Sequence, residues 1–106
     1  MLTPEEIATI SHCLSNPTRF AIIGWLKQPE KHFPANCTGV PNGVGVCMGL
    51  IADKAGLSTS TVSLYLSKMV SAGLMSSQRI GKWTYYRLEP ERLKAYGDAV
   101  VNFGLD

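Results

Sequence analysis

Apolar and polar residues along this chain repeat with two different periods, and the periods mark out its elements. Thr3-Pro4-Glu5-Glu6 opens a helical pattern. Thr3 can cap, Pro4 suits a first helical position and Glu6 completes a capping box. Ile7, Ile10 and Leu14 follow at helical spacing and predict a helix over about 3–14. Asn16-Pro17 restarts the chain with a cap and a first-turn proline. Phe20, Ile23 and Leu26 then form the expected core stripe of a second helix over about 17–27, with Ile22 and Trp25 beside it.

The period fails over Gln28–Val46, which holds Pro29, Pro34, Pro41, Gly39, Gly43 and Gly45 and reads as a long loop. Connections in compact domains run to about 4–6 residues, so a loop of this length is expected to be functional or mobile. Helical spacing returns in Cys47–Ala55 through Leu50, Ile51 and Ala55. Gly56-Leu57-Ser58 is a turn, Ser58 caps a helix running to about Ala72, and Gly73 stops it. Helix, short glycine turn and second helix form the helix-turn-helix pattern. Met75–Ile80 and Trp83–Leu88, rich in β-branched and aromatic residues around Gly81-Lys82, predict a hairpin, in the place of a wing. Pro90–Leu105 reads as a last helix, with Leu93, Tyr96, Gly97, Val100 and Val101 on one face. The expected fold is therefore mainly α with a small β-hairpin wing, in the order α-α-α-α-β-β-α. The first and last helices both carry apolar faces that a domain this small does not readily cover, so they are expected to pack together in a homodimer.

Composition narrows the class. At 106 residues, 45% hydrophobic and 17% charged, the chain fits one small globular domain over residues 1–106. No apolar run is long enough to cross a membrane. The acidic start is not a signal peptide, and three cysteines do not suggest a disulfide framework, so a reducing cytoplasm is the expected compartment. The net charge of +2 is uninformative until it is divided. Met1–Asp53 sets Arg19, Lys27 and Lys31 against Glu5, Glu6, Glu30 and Asp53, a net −1. Lys54–Leu88 carries Lys54, Lys68, Arg79, Lys82 and Arg87 with no acid, a net +5. Glu89–Asp106 sets Arg92 and Lys94 against Glu89, Glu91, Asp98 and Asp106, a net −2. The whole positive excess lies on the helix-turn-helix and hairpin, which suits a polyanion.

On a helical wheel, Val62, Leu66, Met69 and Val70 of the second helix of this motif face the core. Ser60, Leu64, Ser67 and Lys68 face outward, flanked by Thr61 and Ser63. That face offers hydroxyls to phosphates or base edges, a cation to phosphate, and no carboxylate. Leu64 stands alone among polar residues, as an ordinary exposed leucine or as a contact for a thymine methyl. Arg79 and Lys82 at the hairpin tip are placed to reach phosphate or the minor groove. No nucleophile elbow, phosphate loop or paired carboxylate site is present, so the chain is not expected to be an enzyme. A winged helix used for protein–protein contact is the alternative of another class, but interface helices favour aromatic anchors that this face lacks.

These stretches together resemble the ArsR/SmtB family of bacterial winged helix-turn-helix repressors. The matching segments are Leu14-Ser15-Asn16-Pro17-Thr18-Arg19-Phe20-Ala21-Ile22-Ile23, Leu50 through Leu66, Ala72-Gly73-Leu74 and Arg79 through Leu88. The resemblance covers nearly the whole chain except the Gln28–Val46 loop. It implies a homodimer that binds a two-fold double-stranded DNA operator, each recognition helix in a major groove, with half-sites about one helical turn apart. It implies repression relieved by an inducer. Carried over by position, Thr59, Ser60, Ser63 and Leu64 would face the bases; the family commonly has His where Leu64 stands.

Two metal sites common in the family find no match. Where a Cys-x-Cys pair is usual, the chain reads Val46-Cys47-Met48-Gly49-Leu50, and Glu91–Asp106 contains no histidine. Three readings of the thiols stay open. Cys37 and Cys47 can close a reversible disulfide or polysulfide, a redox or reactive-sulfur switch that would constrain the chain by roughly 3 kcal/mol. A flexible loop would let them meet, and distortion at Cys47 would move the helix that supports the recognition helix. Alternatively, the pair binds a thiophilic metalloid such as As(III), with Cys13 or His32 as third ligand. In the third reading they have no role; Cys13 itself is expected to be a small core residue. No other cofactor is expected. Asn36-Cys37-Thr38 matches a glycosylation acceptor, which has no use in a cytoplasmic chain.

Overall fold

The computed structural model describes residues 1–36 and 38–104. Its first two helices, α1 (Pro4–Leu14) and α2 (Pro17–Lys27), start where the caps place them. The Thr3 hydroxyl accepts from the Glu6 backbone N–H at 3.1 Å, and the Glu6 carboxylate accepts from the Thr3 N–H at 2.8 Å. The Asn16 side chain accepts from the N–H groups of Thr18 and Arg19.

The stripe of α2 differs from expectation. Phe20 is 59% exposed, while Ile22, Ile23 and Leu26 are buried and Arg19 is buried with them. The inward row is thus Arg19, Ile22, Ile23 and Leu26, a regular i, i+3, i+4, i+7 set whose first member is a cation. Arg19 belongs there because it closes the end of α1. Its Nε donates to the Cys13 carbonyl at 2.7 Å and a terminal nitrogen donates to the His12 carbonyl at 3.3 Å. These are carbonyls a helix end leaves without partners.

The long loop is more ordered than expected. It opens with a short helix, α3 (Pro29–His32), and ends in a strand, β1 (Val46–Cys47). Phe33 packs edge-on against Trp25, and Asn36 is 3% exposed. The Asn36 amide donates to the carbonyls of Val40 and Gly45, both at 2.9 Å, and its oxygen accepts from the Cys47 N–H at 3.0 Å. One side chain thereby fixes both ends of the turn that follows it.

Helix α4 (Met48–Ala55) begins one residue later than expected, with Cys47 as its N-cap residue. The helix α5 (Thr59–Ser71) is capped by Ser58 and closed at Gly73, whose φ of +79° is the left-handed conformation that ends helices. Strands β2 (Met75–Ile80) and β3 (Trp83–Leu88) form the hairpin, and β1 adds to β3, giving a three-stranded antiparallel sheet in the order β1-β3-β2. Val46 pairs with Tyr86 and Cys47 with Tyr85. Helix α6 (Pro90–Asn102) follows; Leu105, at the expected end of that helix, lies outside the described residues.

Helices α1, α2, α4 and α5 and the sheet surround one core. Ile10, Ile22, Ile23, Ile51, Val62, Leu66, Met69 and Leu74 are all at or below 1% exposed within it. Val62, Leu66 and Met69 face inward as the wheel requires, with Val70 half-buried. The short α3 and the longer α6 contribute no fully buried residue. Within one chain α6 already meets α1: Arg92 pairs with Glu6 at 3.3 Å, and the hydroxyls of Ser11 and Tyr96 lie 2.8 Å apart. So α1 and α6 touch in the single chain, contrary to a contact made only between two chains. Val100, Val101 and Phe103 remain 53%, 72% and 66% exposed.

Candidate nucleic-acid interface

Helix α5 rests on α4 by its apolar face, and the turn between them fixes where its other face points. Thr59, Ser60, Leu64, Ser67 and Lys68 are exposed; Thr61 and Ser63 are half-buried. The first turn of α5 has no acid, so its N-terminal amides and dipole add to the attraction for an anion. Thr61 has a local task. The Ser58 hydroxyl donates to the Thr61 hydroxyl at 3.0 Å and accepts from the Thr61 N–H at 3.3 Å. Its hydroxyl is therefore part of the cap.

Leu64 is 66% exposed and borders an open groove between α1 and α5, shared with Ala8, Thr9 and His12 and floored by Cys13. It is not isolated among polar groups, as the wheel alone suggested. A smaller hollow of about 210 Å³ joins Ser67 and Ser71 of α5 to Ser77 of β2, so the helix face and the wing form a continuous surface.

The five cations of the acid-free segment divide. The Lys54 ammonium lies 5.2 Å from the centre of the Trp25 ring, and Arg87 pairs with Glu89 at 3.7 Å. Among the described residues, Lys68, Arg79 and Lys82 form no ion pair. The three cations singled out on the helix face and wing tip are thus the ones left for a ligand. Arg79 Nε donates to the Gly81 carbonyl at 3.2 Å, which holds its guanidinium over the turn. Ile80 and Trp83, at the same tip, are 37% and 50% exposed. Sequence reading used them only as strand formers; their place beside the two-residue turn was the available sign of exposure.

The thiols occupy separate settings. Cys47 is buried at the junction of β1 and α4. Its expected partner Cys37 lies outside the described residues. Cys13 is buried between α1 and α5, where its thiol donates to the Lys68 carbonyl at 3.4 Å. Burial raises the Cys13 thiol pKa against the smaller opposing effects of Arg19 and Lys68. His32 is half-buried in α3. Among the described residues, no three His, Cys, Asp or Glu side chains come together as a metal site would require. Among the described residues, no helix is long and apolar enough to cross a membrane.

Comparison with known proteins places the fold among transcriptional regulators. No protein-family model matches the chain. It is 41% identical over 93 residues to an uncharacterised HTH-type transcriptional regulator of Bacillus subtilis, YbzH, which spans 88% of this chain and 93% of that protein. Among solved structures, an ArsR family transcriptional regulator superposes with a TM-score of 0.74 at 16% identity, over 95% of this chain and 89% of its own. The homodimeric winged helix-turn-helix DNA-binding domain of Mb0332 from Mycobacterium bovis superposes with a TM-score of 0.66 at 23% identity, over 92% and 77%.

Proposed function

Because the chain belongs to the ArsR family of winged helix-turn-helix transcriptional regulators, we propose that it is a cytoplasmic repressor that binds a two-fold DNA operator as a homodimer. The observation that carries this reading is the continuous acid-free surface of α5 and the wing, on which Lys68, Arg79 and Lys82 are free of ion pairs among the described residues. Thr59, Ser60, Ser63, Leu64 and Ser67 meet bases and sugar–phosphate in the major groove, and Thr61 holds the N-terminus of the helix in shape. The exposed Val100, Val101 and Phe103 on α6 supply the face that a second copy covers.

Release from DNA is assigned to a thiol-directed signal at Cys37 and Cys47. Cys47 sits between the wing, through its register with Tyr85, and the first turn of α4. Its N–H is the group held by Asn36, the neighbour of Cys37 in sequence. A link between the two thiols would disturb that hydrogen bond and displace β1 from β3. A metalloid such as As(III) on the same two thiols is the second reading; Cys13, buried against α5, fits a core role better than a third ligand.

Binding of duplex DNA from upstream of its own gene, measured against salt, tests the repressor reading. Lys68→Ala and Arg79→Ala should each weaken binding to all sequences and lower the salt slope by about one. Unchanged slopes would remove both residues from the phosphate contacts. Mass spectrometry after diamide, sulfane sulfur and arsenite tests the signal. A Cys37–Cys47 link or sulfur bridge is expected, an arsenic adduct favours the second reading, and an unmodified pair rejects both.

A further inference from the structure

Resting on the DNA-binding reading, we propose that the wing tip is an apolar wedge: Ile80 and Trp83 enter the minor groove beside the major groove that α5 occupies. Arg79 and Lys82 then lie against the phosphates on either side.

Strand register brings the two apolar residues together. Ile80 and Trp83 are cross-strand partners that close directly on the Gly81-Lys82 turn, so their side chains share one face of the hairpin. Two faces alternate along the strands. Met75, Tyr86 and Leu88 turn inward and are buried. The opposite face carries Ile80, Trp83, Gln78 and Tyr85. On that face Tyr85 is only 1% exposed, because the 38–45 segment covers it. The Thr38 and Tyr85 hydroxyls lie 2.5 Å apart, and a Cβ on Gly45 would come within 2.8 Å of the Tyr85 Cβ. The cover ends before the tip, where Trp83 is half-exposed.

Large apolar residues in the rest of the wing are buried, so this exposed pair at its end is the exception. Charge decides what it fits. The tip carries two cations, and no carboxylate occurs between Lys54 and Leu88. A partner that offers apolar walls between two lines of negative charge is the minor groove, with sugar faces inside and phosphates at the rims. Proteins that bind there insert apolar side chains at base steps. The hollow that joins Ser67 to Ser77 lies on the inward face of the hairpin and sets that hairpin beside α5, so its protruding tip is carried to the same duplex. Because the minor groove carries a degenerate code, the wedge adds affinity and a preference for easily deformed steps more than base-by-base reading.

The test uses the full-length protein and the duplex from upstream of its own gene. Of the two tryptophans, Trp25 is half-buried beside Phe33, so acrylamide quenching of the free protein reports mainly Trp83. Trp83→Phe provides the blank. DNA should shield Trp83 from acrylamide. Trp83→Ala should weaken binding about tenfold, the scale of one lost stacking contact, at an unchanged salt slope. Ile80→Ser should act in the same direction, and both variants should keep the wild-type unfolding midpoint because the tip is exposed. Netropsin, which fills the minor groove, should weaken the wild type more than Trp83→Ala. Trp83 still open to acrylamide in the complex, with Trp83→Ala within about twofold of wild type, would overturn the wedge and leave DNA recognition by α5 standing. Equal netropsin sensitivity would also overturn it. A wild-type protein that binds no duplex overturns both readings.

Discussion

Arg19 shows how one residue can hide a pattern. By type it reads as a surface cation, and its inward position shifts the core stripe of α2 by one residue, turning Phe20 out. The reason lies outside its own helix. The end of α1 needs a donor, and Tyr65 of α5 offers a ring 5.1 Å from the guanidinium. Nothing at i±3 or i±4 encodes those partners, whereas the caps at Thr3, Asn16 and Ser58 are encoded within three residues and were legible. Arg19→Leu should lower stability by about 2 kcal/mol in urea unfolding, since two carbonyls lose a charged donor. A loss below about 0.5 kcal/mol would mean water replaces it. Cys13 was legible as a core residue. With its thiol pKa raised by burial, it holds less thiolate at neutral pH and should resist iodoacetamide in the native protein while reacting in urea. Native labelling at Cys13 as fast as in urea would contradict its burial.

At the scale of elements, the helices, the glycine turns and the hairpin follow from local chemistry, and the structure departs from them by a residue or two. The ordered loop did not. β1 is two residues long and its partners Tyr85 and Tyr86 lie some forty residues away, so no local period can announce it. The order comes from Asn36, a polar residue whose three hydrogen bonds hold a segment poor in apolar groups. Asn36→Ala should cost about 2–4 kcal/mol, because the Cys47 N–H and the Gly45 carbonyl are left buried without it. A variant as stable as the wild type would show that this network is dispensable. The capped start of α1 titrates. The Thr3 N–H, helped by Arg92, holds the Glu6 carboxyl below its ordinary range. A depressed carboxylate pKa gives support that is present above the unfolded value and lost as pH falls through the folded value. The Glu6 NMR titration should therefore have a midpoint below that of a free glutamate, and amide protection factors at the start of α1, referred to the intrinsic exchange rate at each pH, should fall on acidification through it. An ordinary midpoint would remove the Thr3–Glu6 capping bond.

At the scale of the molecule, segment charge was more informative than total charge. It pointed to the surface proposed to meet DNA, and the structure turns Lys54 onto Trp25 and Arg87 onto Glu89, leaving three of its five cations without such a partner among the described residues. The exposed tip at Ile80 and Trp83 is legible only from its place beside the Gly81-Lys82 turn, because by type β-branched and aromatic residues look alike in a buried strand and at a protruding end. The exposed end of α6 makes a separate prediction: Val101→Glu should shift the protein to monomer in sedimentation, and unchanged dimers would move the interface elsewhere. Hydroxyl-radical footprinting of the DNA upstream of the protein's own gene tests the central claim most directly. Two symmetric protected patches about one helical turn apart, each with a flanking minor-groove cut suppressed, are the expected result. Absent protection, or a single patch without a symmetric mate, would contradict a dimer reading DNA through α5 and the wing.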